Sequence, residues 1–205
     1  MNMNIAKITS DAQQRKLVRR RLRTWAKRAT NDELNQGLTW YTEAQDYAAS
    51  LSDTFGVSGE IAAGVISALS PNNKWNRNKF DALQVLTAVR DGKSADEVKV
   101  CTYGANKRKA FEIAKGNSKI LKESPKTYAF ARNVGALDPA HVTIDKWHLR
   151  ACQTTSCKSV ATQESCTPKQ YRILEEETLK VAEEFGMSGY AFQAVVWVTI
   201  RNQWN

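Results

Sequence analysis

The sequence predicts an all-α protein, a two-lobed helical bundle of about nine or ten helices. Over most of its 205 residues, apolar side chains recur at the three- and four-residue spacing of amphipathic helices. Capping residues and glycines stand at the ends of these periodic segments. Strand-like patterns occur only at Val98–Thr102 and Val142–Ile144, and both are short. Because no Pro/Gly/Ser-rich linker is present, we expect one domain over residues 1–205.

The first 30 residues carry nearly the whole charge excess. The net charge is +9, and residues 1–30 contain nine Lys or Arg against one acidic residue. Residues 10–29 are predicted to form a basic helix with a narrow apolar stripe. A polyanion, most often nucleic acid, is the natural partner of such a segment, although a solvated outer face is the alternative. The predicted DNA-binding arginines are Arg19, Arg20, Arg21 and Arg23.

Three helices are predicted next. Residues 32–55 are amphipathic over a long stretch. Residues 59–70, with Ser58 as the expected cap, are short and apolar, as in a buried helix. A helix over residues 74–91 is predicted to have Asn72 or Asn73 as its cap. Its expected inward side chains are Trp75, Phe80, Leu83, Leu86 and Val89.

Two shorter features follow in the middle of the chain. Ser94–Glu97 is a capping box that opens a short helix. Residues 103–106 are predicted to form a turn, and residues 106–114 another helix with a basic start.

The C-terminal part is predicted to begin with a loop and to end with two helices, over residues 167–205. Residues 152–166 are polar and small, which favours a loop or an insertion. Thr167 opens a capping box with Pro at its first helical position, and the helix is expected over residues 168–185. Ser188 is the expected cap of the last helix, with these side chains inward: Phe192, Val195, Val196 and Thr199.

Residues 118–150 place two ionisable residues where helices should begin, Lys126 and Asp145. Ser124 is a good N-cap and Pro125 suits the first helical position, so Lys126 falls in the first turn. The helix dipole disfavours a cation there, so the pKa of Lys126 should fall, and a partly neutral lysine can act as a nucleophile. Asp145 follows Val142–Ile144 and is predicted to be an N-cap whose carboxylate also faces a site. The alternatives are a solvated lysine and an ordinary helix cap.

The cysteines and the hydropathy indicate the expected environment. The spacing of the four cysteines fits no zinc or iron–sulfur pattern, so we predict reduced thiols, no metal and no cofactor. No apolar run approaches the length of a membrane span, and the N-terminus lacks the layout of a signal peptide. We therefore expect a soluble, cytoplasmic protein without a membrane partner.

The order of these motifs resembles the helix-hairpin-helix DNA glycosylase superfamily, the endonuclease III and 8-oxoguanine glycosylase relatives. Residues 68–72 are similar to the L-S-x-Q turn that ends a buried helix in that family, with Asn72 in the place of the glutamine. Residues 103–110 are similar to its Tyr-rich turn into a helix. Lys126 matches the catalytic lysine of a hairpin at about residues 118–133. Asp145, 19 residues later, matches the aspartate of the V-D-x-x-x-x-R segment.

The resemblance covers roughly residues 58–151 and has clear departures. Residues 121–125 contain no glycine where the family hairpin has glycines that bind a DNA phosphate, and Trp147 replaces a usual histidine. Residues 193–201 resemble the ending of uncharacterised phage and actinobacterial proteins. The chain is thus expected to be a divergent phage-type member, located in the host cytoplasm if a phage encodes it.

The resemblance implies a DNA glycosylase that flips a base out of double-stranded DNA and cleaves its N-glycosidic bond, as in base-excision repair. Asp145 would stabilise the positive charge on the sugar or activate a nucleophile. Lys126 would attack C1′ and form a Schiff base, which adds lyase activity and strand nicking. A monomer is expected. The implied substrate- and DNA-binding residues are Asn72, Asn73, Tyr103, Lys107, Ser124, Trp147 and Arg150.

Two alternatives remain open for the function. Phages that hypermodify their DNA use glycosylase-like proteins that act on activated bases in the polymer, and such an enzyme would keep Asp145 and dispense with strand cleavage. The second alternative is a non-catalytic DNA-binding module in which the basic N-terminus makes the contacts. Trp147, Trp75 and Tyr103 are the aromatic candidates for a pocket that holds the flipped base. Each could instead pack in the core, and we favour core packing for Trp75.

Overall fold

A computed structural model describes residues 4–158 and 160–204. Within these ranges the protein has nine α-helices, three 3-10 helices and no strand, which confirms the predicted all-α class. The 3-10 helices are Ile5–Lys7, Ala95–Glu97 and Ser118–Glu123. The α-helices are α1 (Ala12–Arg28), α2 (Asn31–Phe55), α3 (Gly59–Leu69), α4 (Trp75–Arg90), α5 (Gly104–Ala114), α6 (Pro125–Val134), α7 (Lys146–Gln153), α8 (Pro168–Glu184) and α9 (Gly189–Gln203).

The chain forms two compact units. Unit 1 comprises Met1–Thr42 and Pro139–Asn205, and unit 2 comprises Glu43–Asp138. Helix α2 therefore contributes its first part to unit 1 and its last part to unit 2.

In unit 1, helix α1 packs against α7, α8 and α9. The predicted apolar stripe of the basic helix is confirmed, because Leu17, Val18, Leu22 and Trp25 are all buried. Asp11 caps the helix as its spacing suggests, and its carboxylate accepts from the first-turn backbone N–H groups. The apolar stripe thus faces unit 1, and the arginines occupy the rest of the helix surface.

In unit 2, helix α3 lies against α4, α5 and α6. Every residue from Ala62 to Leu69 is buried, which confirms the predicted buried helix. Small side chains allow this close packing: a Cβ atom at Gly64 would lie 2.9 Å from Ile113 Cγ2 and 3.0 Å from Leu121 Cδ1.

The predicted inward face of α4 is confirmed for Leu86, which is buried, and wrong for two of its members. Phe80 and Leu83 are 49% and 41% exposed, whereas the polar Asn78 and Asp81 are buried. The helix turns this way because both polar side chains find hydrogen-bond partners inside unit 2; Asn78 donates to the carbonyl oxygen of Ile66 at 3.1 Å.

The start of α4 also differs from the prediction. Lys74 occupies the N-cap position and makes no side-chain capping bond. Asn72 and Asn73 precede it, and the Asn73 amide donates to Leu69 and Asp81 instead of capping the helix.

Some of the other predicted helix ends are confirmed by the structure, and two are wrong. Ser58, Thr167 and Ser188 cap α3, α8 and α9 as predicted, since capping depends on local chemistry. The predicted turn over residues 103–106 is wrong, because α5 already begins at Gly104. The predicted loop starts later than residue 152, since α7 continues to Gln153.

Candidate functional site

Asp145 in unit 1 is held through both oxygens of its carboxylate. It is the N-cap of α7, as predicted, and its Oδ1 accepts the backbone N–H of His148 at 2.8 Å. Its Oδ2 accepts the indole N–H of Trp197, a residue of α9, at 2.9 Å. Capping needs only one oxygen. The second bond therefore fixes the orientation of a half-buried carboxylate, and the sequence pattern did not indicate Trp197 as its partner.

The extended segment before Asp145 is held by Tyr171 of α8. The Tyr171 hydroxyl donates to the carbonyl oxygen of Val142 at 2.8 Å and accepts from the N–H of Ile144 at 3.0 Å. Burial raises the pKa of Tyr171 well above its usual value, so the hydroxyl keeps its proton and its donor role. The Tyr171 hydroxyl thus pairs with two backbone groups of the strand-like run Val142–Ile144, and Glu175 accepts a third, the N–H of Val142.

His148 is buried and connects α7 to α8. Its Nε2 lies 2.9 Å from Thr178 Oγ1, and that hydroxyl donates its own proton to the carbonyl oxygen of Leu174. The Thr178 oxygen must therefore accept, which assigns the proton of the neutral imidazole to Nε2. Nδ1 is buried with no hydrogen-bond partner among the described residues. Burial lowers the pKa of His148 to about 3, so the imidazole stays neutral and has a structural role.

Trp147 and Arg150 lie on the same helix as Asp145. The Arg150 guanidinium carbon is 4.6 Å from the centroid of the Trp147 ring and 5.3 Å from that of Trp204. Arg150 also forms an ion pair with the exposed Glu164 at 2.5 Å. These contacts make Arg150 a stacked guanidinium on the surface that also carries Trp147.

A second tryptophan–arginine pair lies on α9. The Arg201 guanidinium carbon is 4.2 Å from the centroid of the Trp197 ring, and the Trp40 ring centroid is 6.1 Å from that of Trp197. A shallow pocket is lined by Gln36, Trp197, Val198, Arg201 and Asn202. The sequence signal for this cluster is the 197, 201 spacing, which places the two side chains on one face of a helix. Our sequence interpretation treated α9 as a core helix and missed it.

The arginines predicted to bind DNA are largely engaged inside unit 1. Arg19 forms an ion pair with Glu177, a residue of α8 that is only 1% exposed. Arg23 forms two hydrogen bonds with Glu184 of the same helix, at 2.5 and 2.6 Å. These pairs attach α1 to α8, so the two guanidiniums have a role in packing.

The other two arginines of this group differ from each other. Arg21 donates to the carbonyl oxygen of Cys152 at 3.4 Å, whereas Arg20 is exposed. Of the four, Arg20 is the one whose surroundings best suit a contact with a polyanion.

Lys126 belongs to unit 2 and lies in the first turn of α6. Pro125 occupies the first helical position as predicted, and Ser124 occupies the N-cap position. The Ser124 hydroxyl makes no capping bond; it accepts from the hydroxyl of Thr127 at 3.1 Å. The Lys126 side chain is exposed to solvent. Its role as a nucleophile stays a prediction.

The predicted DNA-binding residues of unit 2 fall into an exposed pair and an engaged lysine. The amide of Asn72 donates to the hydroxyl of Tyr103 at 3.1 Å, and Tyr103 is 65% exposed. Asn72 has a φ of 59°, in the left-handed region that non-glycine residues seldom adopt. The amine of Lys107 donates to the carbonyl oxygen of Val98 at 3.1 Å. Asn72 and Tyr103 therefore expose an amide and an aromatic ring side by side. The amine of Lys107, in contrast, is hydrogen-bonded to the protein backbone.

A buried carboxylate joins the two loops that carry this pair. Asp81 has no exposed surface and accepts from Arg77 Nε at 2.8 Å, from Asn73 Nδ2 at 2.9 Å and from the N–H of Cys101 at 2.9 Å. Asn73 is thus part of the support and not of the exposed surface. The sequence pattern missed Asp81 because a single acid in an amphipathic helix is usually solvated.

The structure brings no metal-binding group together in the part of the chain that it describes. No three His, Cys, Asp or Glu side chains within those ranges are placed to hold an ion. The four cysteines are free thiols, and burial raises the pKa of the Cys152 thiol. None of the helices in residues 4–158 and 160–204 combines the length and apolarity that a membrane span needs.

The fold and these clusters define an all-helical, basic protein that presents an oriented carboxylate beside tryptophan and arginine side chains in unit 1. A family model matches residues 3–204, so the chain belongs to that family, described as a family of unknown function (DUF7178). No curated protein and no solved structure matches the chain. The relation to the helix-hairpin-helix glycosylases stays a prediction.

Proposed function

We propose that this protein is a DNA-glycosylase-like enzyme that cleaves the N-glycosidic bond of a nucleotide in DNA, with Asp145 as the reacting carboxylate. The observation that carries the proposal is the double attachment of Asp145. One oxygen caps α7, and the other accepts the indole N–H of Trp197 from a different helix. An oriented carboxylate suits a reaction in which positive charge develops on a sugar carbon, because it can stabilise that charge or activate water.

The surroundings of Asp145 support a nucleic-acid substrate. Trp147 follows it on the same helix and is half-buried, with the Arg150 guanidinium over its ring. An indole face stacks on a nucleobase, and a guanidinium both stacks and pairs with phosphate. The net charge of +9 favours a polyanion for the whole chain.

The environment of Lys126 indicates whether the bond is cleaved by water or by attack of a lysine that forms a Schiff base. A lysine that forms a Schiff base is commonly activated by a desolvated pocket or by another cation. Lys126 is exposed, so we favour hydrolysis by an activated water over a lysine adduct. Borohydride trapping of the protein on DNA tests this directly, with Lys126→Ala as the control. A trapped adduct that disappears in Lys126→Ala would establish the bifunctional reaction instead.

The decisive experiment measures bases released from modified and unmodified phage and host DNA by mass spectrometry. Wild type should release one base, and Asp145→Asn should slow the release by about 10²- to 10⁴-fold, the usual contribution of a catalytic acid or base. Asn caps helices as well as Asp does, so the cap of α7 should be kept, but its amide nitrogen cannot accept the indole N–H of Trp197. Asp11→Asn is the control for the capping bond alone: Asp11 caps α1 through Oδ1 and should tolerate the change.

Each other outcome assigns a different function. Release that is equal in wild type and Asp145→Asn would refute the assigned role of the carboxylate. No released base but a new mass on a base within the polymer would indicate the base-modifying enzyme. Neither release nor a new mass, with salt-sensitive binding intact, would leave a DNA-binding module.

A further inference from the structure

Six side chains of unit 1 form two groups in which arginines lie against tryptophan rings. We name this surface the Trp–Arg ladder; it comprises Trp40, Trp147, Arg150, Trp197, Arg201 and Trp204. Helix α9 contributes Trp197 and Arg201, at positions i and i+4, and Trp204 directly follows the end of the helix. The two groups meet near Asp145, because its carboxylate accepts the indole N–H of Trp197 and Trp147 lies two residues after it.

The geometry of the ladder is that of stacked cations and rings. The guanidinium carbons of Arg201 and Arg150 lie 4.2 and 4.6 Å from the centroids of Trp197 and Trp147. The Trp204 ring is 5.3 Å from the Arg150 guanidinium carbon, and its centroid is 6.1 Å from that of Trp147. All four tryptophans are half-buried, so each retains ring surface that solvent reaches. Core packing alone does not require partly exposed indoles beside exposed or half-buried arginines.

We infer that the Trp–Arg ladder binds the unpaired bases of single-stranded DNA. This inference rests on the proposed function and deepens it by naming the substrate class. Every base has a π-face, so stacking on indole rings is tolerant of sequence, and arginines add cation–π and phosphate contacts. In a duplex the same base faces are covered by neighbouring base pairs, so a stacking surface selects single strands.

The polarity of the surface fits a strand of nucleic acid. The shallow pocket at Trp197 adds the amides of Gln36 and Asn202, which can donate to or accept from base edges. The ion pair of Arg150 with Glu164 is solvent-exposed on the acid side, so a phosphate competes for that guanidinium at small cost.

The test compares the binding of a labelled oligothymidine of about 12 nucleotides with that of a duplex of equal length, by fluorescence anisotropy at one salt concentration. The full-length protein should bind the single strand at least tenfold more tightly. Trp204→Ala should weaken single-strand binding by about 5- to 150-fold, the range for loss of one stacked base. Trp204→Phe should restore most of the affinity, because a ring remains. This rescue distinguishes lost stacking from lost folding.

Arg201→Ala and Arg90→Ala are matched variants that separate the contribution of the Trp–Arg ladder to single-strand affinity from the effect of losing one positive charge. Both remove one cation over an aromatic ring; Arg90 lies over Phe55 in unit 2, 5.6 Å from its centroid. Arg201→Ala should weaken binding of the single strand several-fold, whereas Arg90→Ala should leave it within twofold of wild type. Equal losses in the two variants would overturn the inference in favour of nonspecific charge.

The remaining outcomes separate this inference from the proposed function. Duplex binding that equals or exceeds single-strand binding, or a tenfold preference for oligouridine RNA, would overturn the inference. If bases are nevertheless released from DNA in an Asp145-dependent manner, the proposed function stands without it. If the ladder variants lose single-strand binding and no base is released or altered, the inference stands and the enzymatic proposal fails.

Discussion

Lowering the pH from 7 to 5 is expected to destabilise unit 1 through His148. This imidazole is buried between α7 and α8, its Nε2 proton is donated to Thr178, and its Nδ1 has no partner among the described residues. Protonation would therefore place a charge on a buried nitrogen without an acceptor. Burial lowers the pKa of His148 in the folded protein to about 3, from an ordinary value of 6.5.

The magnitude follows from the difference between the two pKa values. Between about pH 3 and pH 6.5 the unfolded chain binds one proton that the folded chain does not, so stability falls as the pH falls. The slope approaches about 1.4 kcal/mol per pH unit. Because protonation of the unfolded chain is only partial near pH 6.5, the step from pH 7 to pH 5 should cost about 2 kcal/mol from His148 alone.

Urea unfolding at pH 7 and pH 5, followed by circular dichroism, measures this cost when wild type is compared with His148→Gln. Glutamine keeps a donor for Thr178 and does not titrate. The variant should be less stable at pH 7, and its deficit should shrink by about 2 kcal/mol at pH 5, since all other titrating groups are shared. A deficit that stays constant between the two pH values would refute the reasoning, because His148 would then gain its proton equally in both states.

Two further predictions concern packing and the support of the unit 2 loops. Gly37→Ala should lower the unfolding free energy by about 2 kcal/mol or more, because its Cβ would lie 2.5 Å from Val195 Cα; Gly59→Ala, with no atom within 4 Å, should have little effect in the same urea titration. Asp81→Asn should cost about 3 kcal/mol, since an amide cannot accept from all three donors of the buried site, and a loss below 1 kcal/mol would contradict that account.

Features that depend on neighbouring residues could be predicted from the sequence. The caps at Asp11, Ser58, Asp145, Thr167 and Ser188 are correct because a side chain two or three residues away from a free backbone N–H reaches it in any tertiary setting. The buried helix α3 was predictable for a similar reason, since its composition leaves it no polar face.

Features that depend on distant partners could not be predicted in this way. The α4 face was misassigned because Asp81 and Asn78 are polar residues whose partners, Cys101 and Ile66, lie far away in sequence. Likewise, the bond from Trp197 to Asp145 spans 52 residues and follows from how α7 and α9 pack. Periodicity identifies which residues share a helix face, but only the fold shows which polar groups meet on it.

The same distinction changes where a polyanion is expected to bind. The sequence concentrates positive charge in residues 1–30, which favoured α1 as the DNA-binding element. In the folded unit, Arg19 and Arg23 neutralise the carboxylates of Glu177 and Glu184, so much of that charge stabilises the contact between α1 and α8. Glu177 is buried, so Arg19 cannot turn to a phosphate without leaving an uncompensated charge behind. Arg23, whose partner Glu184 is exposed, and the stacked Arg150 and Arg201 bear no such cost. We therefore expect the Trp–Arg ladder, beside Asp145, to contribute to the binding of a polyanion together with exposed cations such as Arg20.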